Sequence, residues 1–170
     1  MPLDTVYKYA LDQYTGGKWE ESVDYLEGSL RLYRLVKDSD AFCNLNCSSA
    51  RLYNEERFLE FPELHAFGTI MKRAQCLKRC KQGLPAFKEI MPSRETMEDF
   101  ENREPYKYLQ FAYFKSNDMA KAIAAAHTFI LKQPEDEMMK RNMDYYRSQP
   151  GSQEHLRDLE IRSYQARVYQ

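Results

Sequence analysis

Four cysteines are the residues of this sequence whose spacing most clearly predicts chemistry, and they occur as two pairs. Cys43 and Cys47 form the first pair, and Cys76 and Cys80 form the second. An i, i+4 spacing places both sulfurs of a pair on one face of a helix. If two such helices pack antiparallel, the first cysteine meets the last. This order predicts the disulfide bonds Cys43–Cys80 and Cys47–Cys76, each of which would stabilise the fold by about 3–4 kcal/mol.

Other uses of the four cysteines remain open. Free cysteines are often buried as small apolar residues, but Cys76 and Cys80 lie nearly opposite the apolar stripe of their predicted helix. That stripe consists of Leu64, Phe67, Met71 and Ala74. Structural zinc sites usually have a closer Cys-x2-Cys spacing on turns, and thioredoxin-like redox sites have Cys-x-x-Cys. We therefore prefer the disulfide interpretation, with buried thiols and a metal site as alternatives.

The tripeptide Asn46-Cys47-Ser48 also indicates an oxidising compartment, because it fits the acceptor pattern for N-glycosylation. Pairable cysteines persist as disulfides in secretory proteins and rarely in cytosolic ones. The first residues lack the basic start and apolar stretch of a signal peptide. Together these features predict a glycosylated protein of the secretory pathway whose leader has been removed.

No residue pattern in the sequence predicts catalysis. None of His65, His127 and His155 is followed by the x-Asp/Glu arrangement common in facial-triad iron sites. A glycine-rich phosphate loop and a nucleophile elbow are also missing from the sequence. We therefore predict no catalytic residue, no metal ligand and no cofactor, and expect a binding protein instead of an enzyme.

Charge and hydropathy bear on binding to nucleic acid and on insertion into a membrane. The 25 basic and 26 acidic residues are balanced, whereas proteins that bind nucleic acid usually carry a basic stripe. No apolar run approaches the roughly 18 residues that a membrane span requires. The sequence therefore predicts neither nucleic-acid binding nor a membrane span.

The hydrophobic spacing predicts helices almost throughout, within one helical domain over residues 1–160. We expect a helix pair over residues 3–37, the two cysteine-bearing helices within 39–82, a second helix pair over 105–134 and a following helix over 136–147. The cysteine helices are predicted at 41–47 and 62–80, with an irregular segment at 48–61 between them. A proline-marked stretch at 85–92 and a short helix at 96–102 come next. Residues 161–170 are predicted to form the start of a further helix whose continuation is absent.

The two helix pairs form an internal repeat with an offset of one hundred residues. Gly17 aligns with Asn117 at the turn, and the apolar and small positions of the return helices also align, as in Ser22 with Ala122. The second pair resembles the tetratricopeptide consensus at Tyr106, Leu109, Tyr113, Ala122 and Pro134. Repeated helix–turn–helix units are typical of helical solenoids. We therefore predict an all-α, tetratricopeptide-like solenoid of helical hairpins that is stapled by disulfides.

Longer runs of the sequence resemble the leprecan family across nearly the whole chain. They are residues 29–34 (SLRLYR), 38–43 (DSDAFC), 76–80 (CLKRC), 84–87 (LPAF), 104–110 (EPYKYLQ), 121–129 (KAIAAAHTF) and 136–140 (DEMMK). The resemblance implies a protein of the endoplasmic reticulum lumen, with secretion into the extracellular matrix as a second location. It implies a non-catalytic helper that joins a prolyl 3-hydroxylase and cyclophilin B in a complex acting on procollagen chains.

Two other functions remain as alternatives to the helper subunit. In the leprecan family the hydroxylases carry a separate dioxygenase domain after their helical repeats, so the chain would also fit the helical N-terminal domain of a prolyl 3-hydroxylase. A cytosolic tetratricopeptide adaptor that binds short peptides in a concave groove is the other alternative. Under the adaptor hypothesis, the four cysteines would be reduced and Asn46 would be unglycosylated.

Overall fold

The computed structural model describes residues 1–48 and 62–161. Over these residues the chain is helical, without a β-strand, and this confirms the all-α prediction. The helices are α1 (Leu3–Thr15), α2 (Trp19–Asn46), α3 (Pro62–Gly83), α4 (Arg94–Glu101), α5 (Glu104–Lys115), α6 (Met119–Lys132) and α7 (Glu137–Arg147). A π-helical turn spans Ala86–Ile90, and a 3-10 turn spans Ser152–His155.

The sequence predicts one domain over residues 1–160, and the structure divides the chain into two compact units. Met1–Leu3 and Arg31–Met91 form the first, which we name the disulfide unit. Asp4–Leu30 and Pro92–Gln170 form the second, which we name the repeat unit. Helix α2 contributes residues to both units.

Helices α5 and α6 form the central hairpin of the repeat unit. The turn between them requires a left-handed residue, and Asn117 takes that conformation with a φ of 60°, which asparagine tolerates better than most residues. The Asp118 carboxylate then caps α6 by accepting a hydrogen bond from the backbone N–H of Lys121 at 3.1 Å. All residues from Ala122 to Ala126 are buried, so the small side chains of α6 allow close packing.

The hairpin of α1 and the first part of α2 repeats this design. Gly17 occupies the turn with a φ of 73°, in the same left-handed region as its aligned partner Asn117. Ser22, aligned with Ala122, is fully buried, and its hydroxyl donates a hydrogen bond to the carbonyl of Ala10 at 3.0 Å. The tetratricopeptide-like hairpins predicted from the sequence are therefore confirmed, including the internal alignment of their turns.

The segment after the 3-10 turn is tied to the hairpins by polar contacts. The Arg103 guanidinium donates to the Thr128 carbonyl at 2.8 Å and pairs with the Asp158 carboxylate at 3.2 Å. The hydroxyl of buried Tyr106 donates to the carboxylate of Glu160. These bonds hold residues 158–160 on the repeat unit.

The structure corrects the predicted break after residue 37. Residues 38–46 continue helix α2, so the separate helix expected at 41–47 is the end of a helix that began at Trp19. No glycine or proline lies between residues 31 and 46, and polar residues such as Asp38 and Asp40 do not by themselves end a helix. The proline-marked stretch contains the π-helical turn Ala86–Ile90, and the short helix begins at Arg94. Residues 49–61 and 162–170, where we predicted an irregular segment and a further helix, lie outside the described residues.

Candidate protein interaction surfaces

Two disulfide bonds join helices α2 and α3 in the disulfide unit. Cys43 is bonded to Cys80 and Cys47 to Cys76, and in each bond the two Cα atoms are 5.7 Å apart. This is the nested order that antiparallel helices require, with the Cys47–Cys76 loop inside the Cys43–Cys80 loop. Cys43 and Cys47 are fully buried. All four sulfurs are therefore used as cross-links and none serves as a thiol or a metal ligand.

Asn46 is the last residue of α2, and its side chain is exposed. The next residue, Cys47, is buried and bonded to Cys76. The glycosylation acceptor predicted at Asn46 thus lies on the surface of the disulfide unit, beside the inner cross-link. A glycan on this side chain would extend into solvent without displacing the core.

The disulfide bonds determine which face of α3 is turned outward. Cys76 and Cys80 point toward α2, and the apolar stripe on the opposite side of α3 is left in solvent. Phe67 and Ile70 are 64% and 65% exposed, and Leu64 and Met71 are also exposed. Contiguous exposed apolar side chains are typical of surfaces that bind proteins. The outer face of α3 is therefore one candidate interaction surface.

A row of aromatic rings crosses the repeat unit and forms a second candidate surface. Trp19, Phe111, Phe114 and Tyr145, which we name the aromatic row, come from α2, α5 and α7. Successive ring centroids are 5.4, 6.3 and 6.0 Å apart, within the range of favourable ring pairs. Three of the rings are half-buried, and Tyr145 is 49% exposed. The row therefore presents aromatic surface that its neighbours hold in place.

The end of the aromatic row opens into a groove of about 270 Å³. Its lining consists of Phe111, Phe114, Asn142, Tyr145 and Tyr146. The Tyr146 hydroxyl donates to the Gln110 side-chain oxygen, and burial followed by the neighbouring Tyr145 raises the pKa of Tyr146 to about 12. None of the five residues that line the groove carries a charge at physiological pH.

Tyrosines that look alike in the sequence have different roles in the fold. Tyr113 is buried and donates to the Glu27 carboxylate, which links α5 to α2 inside the repeat unit. Burial, then the hydrogen bond to Glu27, raises the pKa of Tyr113. Tyr108 is half-buried and packs edge-to-face against Tyr14 beside the aromatic row, with centroids 5.2 Å apart. Of these three tyrosines, only Tyr145 is exposed.

Sequence reasoning did not identify the aromatic row as a surface. Phe111, Phe114 and Asn142 were not among the predicted site residues. A usable signal is the i, i+3 spacing of Tyr108, Phe111 and Phe114 on one face of α5. The contributions of α2 and α7 come from segments far apart in the sequence, so only the fold brings them to the row.

The described residues were compared with the requirements of a metal site and of a membrane-spanning helix. Across residues 1–48 and 62–161, no cluster of three or more His, Cys, Asp or Glu side chains is placed to hold a metal ion. Among the helices of the same residues, none combines the length and the hydropathy that a bilayer crossing demands.

Comparison with known proteins identifies a matching family model and several similar proteins. A family model described as the leprecan family TPR-like repeat region matches residues 2–170. Cartilage-associated protein of Mus musculus is 60% identical over 98% of this chain and 42% of its own length. Endoplasmic reticulum protein SC65 of Rattus norvegicus is 44% identical over 98% of this chain and 40% of its own length. Prolyl 3-hydroxylase 1 of Gallus gallus is 36% identical over 95% of this chain and 22% of its own length.

The chain thus spans about two fifths of the length of the first two relatives named here. The family model, in contrast, extends over nearly the whole chain, through both cysteine helices and both helical hairpins. This protein therefore belongs to the leprecan family and contains its tetratricopeptide-like repeat region.

Proposed function

We propose that this chain is part of a non-catalytic helper subunit of the endoplasmic reticulum complex that 3-hydroxylates prolyl residues of collagen. The subunit binds a prolyl 3-hydroxylase, cyclophilin B and procollagen chains, and so assists procollagen modification and folding. The observation that carries the proposal is the 60% identity to cartilage-associated protein over nearly the whole chain, against 36% to prolyl 3-hydroxylase 1.

The surfaces of the chain support a role in binding proteins. The outer face of α3 exposes four large apolar side chains, and the aromatic row exposes Tyr145 and leaves three further rings half-buried. Soluble proteins usually bury such patches against a partner. The double cross-link at Cys76 and Cys80 attaches α3 to α2 at the end of the helix that follows this surface.

The chemistry of the disulfide unit supports a location in the endoplasmic reticulum lumen. Two disulfide bonds persist in an oxidising compartment, and a relative carries the name endoplasmic reticulum protein SC65. Asn46 begins the one Asn-x-Ser/Thr tripeptide of the sequence. We expect this side chain to be glycosylated when the protein passes through the secretory pathway.

Glycosylation is tested by expression in secretory cells followed by treatment with an N-glycosidase. The wild-type protein is expected to shift by one glycan on gel electrophoresis. Asn46→Gln and Ser48→Ala are each expected to remove the shift, and Asn44→Gln serves as the matched control that keeps it. An unglycosylated wild-type protein would contradict a secretory location for this site.

The function is tested by co-expression of the full-length protein containing this chain with a prolyl 3-hydroxylase and cyclophilin B. We expect the three proteins to co-purify, and the hydroxylase to modify procollagen prolyl residues more completely when the helper is present. The helper alone is expected to leave a prolyl peptide unchanged. Failure to co-purify would refute the helper function, and hydroxylation by the protein alone would favour the hydroxylase alternative.

A further inference from the structure

The outer face of α3 carries a charge at each end and apolar side chains between them. At about 100° per residue, Glu63, Phe67, Ala74 and Lys78 lie within about 60° of one another around the helix. All four side chains are exposed, and Phe67 is 64% exposed. The face is therefore negative near the start of α3, apolar in the middle and positive toward its end.

The order of these four residues is symmetric along the helix, because Glu63 and Lys78 have the same midpoint as Phe67 and Ala74. If a second copy of α3 lies antiparallel on this face, with a two-fold axis through that midpoint, Glu63 of each copy meets Lys78 of the other. Phe67 of each copy then meets Ala74 of the other. A two-fold interface requires such self-complementarity. Here opposite charges face each other, and a large ring faces a small methyl group.

Two further exposed apolar side chains lie beside the midpoint. Ile70 and Met71 are 65% and 47% exposed, and the helical period places them on opposite sides of the face. Across the two-fold axis, Ile70 meets Ile70 of the second copy on one side, and Met71 meets Met71 on the other. Apolar contacts thus occupy the centre of the interface and ion pairs its two ends, which is the usual arrangement of an apolar core with a polar rim.

The other basic residues of α3 do not take the place of Lys78. They lie more than about 100° from the centre of the face, apart from Lys81, whose amino group pairs with the Asp40 carboxylate at 3.1 Å. Lys78 is therefore the base that can reach Glu63 of a second copy.

We propose that the outer face of α3 binds a second copy of this chain as an antiparallel helix pair. One register satisfies the charges and the side-chain sizes together, and a partner of unrelated sequence would have to supply the same pattern. The small side chain of Ala74 opposite Phe67 lets the two helices approach to the usual separation of about 8–10 Å between axes. The disulfide bonds turn Cys76 and Cys80 toward α2 on the other side of α3, so α2 leaves this face to the second copy.

The contact is smaller than that of a permanent dimer. The face from Glu63 to Lys78 is about 22 Å long at 1.5 Å per residue, and one helix pair of this length buries less area than permanent complexes do. We therefore expect a reversible dimer with a dissociation constant on the order of 10 µM, which weakens as salt screens the ion pairs. The inference does not depend on the proposed function, because it concerns two copies of the chain alone.

Sedimentation equilibrium of the 170-residue chain measures the dimer directly. The concentrations should extend from tenfold below to tenfold above the expected dissociation constant, and the mean mass is expected to rise from that of one chain toward that of two. Phe67→Ala is expected to weaken the dimer about tenfold, because an aromatic anchor is lost. Circular dichroism verifies that each variant is folded, as expected for substitutions at exposed positions.

Charge reversal tests the register. Glu63→Lys and Lys78→Glu each place like charges opposite each other at both ends of the dimer, and each is expected to weaken it at least about tenfold. An equimolar mixture of the two variants is expected to form a heterodimer of nearly wild-type strength, because every charge then faces its opposite. Arg79→Glu is the matched control: it makes the same charge change at the next residue, outside the face, and is expected to leave the dimer unchanged.

The inference is refuted if the chain remains a monomer over this range, if the mixture of charge variants forms no heterodimer, or if Arg79→Glu weakens the dimer as much as Lys78→Glu does. Co-purification of the full-length protein containing this chain tests for another occupant. A monomeric protein that loses its prolyl 3-hydroxylase on Phe67→Ala would assign the face to that enzyme, and would also refute the dimer.

Discussion

Removal of either disulfide bond alone is expected to destabilise the disulfide unit by less than the full value of an isolated cross-link. The perturbation is a pair of alanine substitutions, Cys43→Ala with Cys80→Ala for the outer bond, or Cys47→Ala with Cys76→Ala for the inner bond. Alanine suits these positions because Cys43 and Cys47 are fully buried, and a serine hydroxyl there would need a hydrogen-bond partner.

The magnitude follows from the nesting of the two loops. The bonds close separations of 37 and 29 residues, and each alone would stabilise the fold by about 3.6–3.8 kcal/mol in the chain-entropy treatment. The two separations differ by eight residues (37 − 29), so the second bond closes only a short additional loop once the first is present. That loop is worth about 2.5 kcal/mol. Loss of one bond should therefore cost about 2.5 kcal/mol, and loss of both about 6 kcal/mol.

The assay is urea unfolding at neutral pH, followed by far-ultraviolet circular dichroism, for the wild type, the two double-alanine variants and the quadruple variant. The reduced wild type is the control and is expected to unfold like the quadruple variant. The reasoning would be refuted if one bond carried the whole effect, or if the two single-bond losses added to clearly more than the loss of both. Either result would mean that native packing around the sulfurs, and not loop closure, sets the stability.

Three further predictions concern titratable side chains of the repeat unit. Tyr113→Phe removes the hydrogen bond to Glu27 and is expected to lower the free energy of unfolding by about 1–2 kcal/mol in urea titrations, whereas the exposed control Tyr9→Phe should change it by less than about 0.5 kcal/mol. The pKa of Tyr146 is raised from 10.0 to about 12 by burial and then by its neighbour Tyr145, so its contribution is complete below pH 10 and is lost as the pH rises through 12. Stability measured by urea titration should therefore fall more steeply between these pH values in the wild type than in Tyr146→Phe. Burial, and then two nearby glutamates, raises the pKa of Asp99 above 3.8, so the stability linked to its protonated form is present below pH 3.8 and lost as the pH rises. Asp99→Asn should therefore raise the thermal unfolding midpoint at pH 7 and leave it unchanged at pH 3. The corresponding gain in the free energy of unfolding at pH 7 should be less than about 1 kcal/mol, because this group is partly solvated. A stabilisation of equal size at both pH values would contradict this account.

The helical hairpins could be predicted because their signals are local. A turn needs a residue that accepts a positive φ, and Gly17 and Asn117 supply it at aligned positions. The spacing of small and apolar residues around Ser22 and Ala122 follows the helical period, so the buried faces of these helices could also be predicted. The predicted break after residue 37 was wrong because polar residues on a helix surface look the same in sequence as a polar linker.

The cysteine spacing predicted the nested disulfide connectivity on the assumption that the two helices pack antiparallel. The sequence did not reveal the consequence for α3. An apolar stripe such as that of Leu64 and Phe67 has the pattern of a core face, and only the position of the neighbouring helix decides whether it is buried. Here the cross-links turn Cys76 and Cys80 toward α2, and the stripe remains in solvent.

The helical class and the two hairpin turns could be predicted from the sequence because each depends on residues within one or two helical turns. The pairing of the cysteines also required the assumption that two distant helices pack antiparallel, and the exposure of the α3 stripe and the membership of the aromatic row depend on tertiary packing throughout. Trp19, Phe111 and Tyr145 come from three different helices, and their contacts depend on how those helices pack. Helical periodicity records which residues share a face, but the packing of neighbours decides which face a partner can reach.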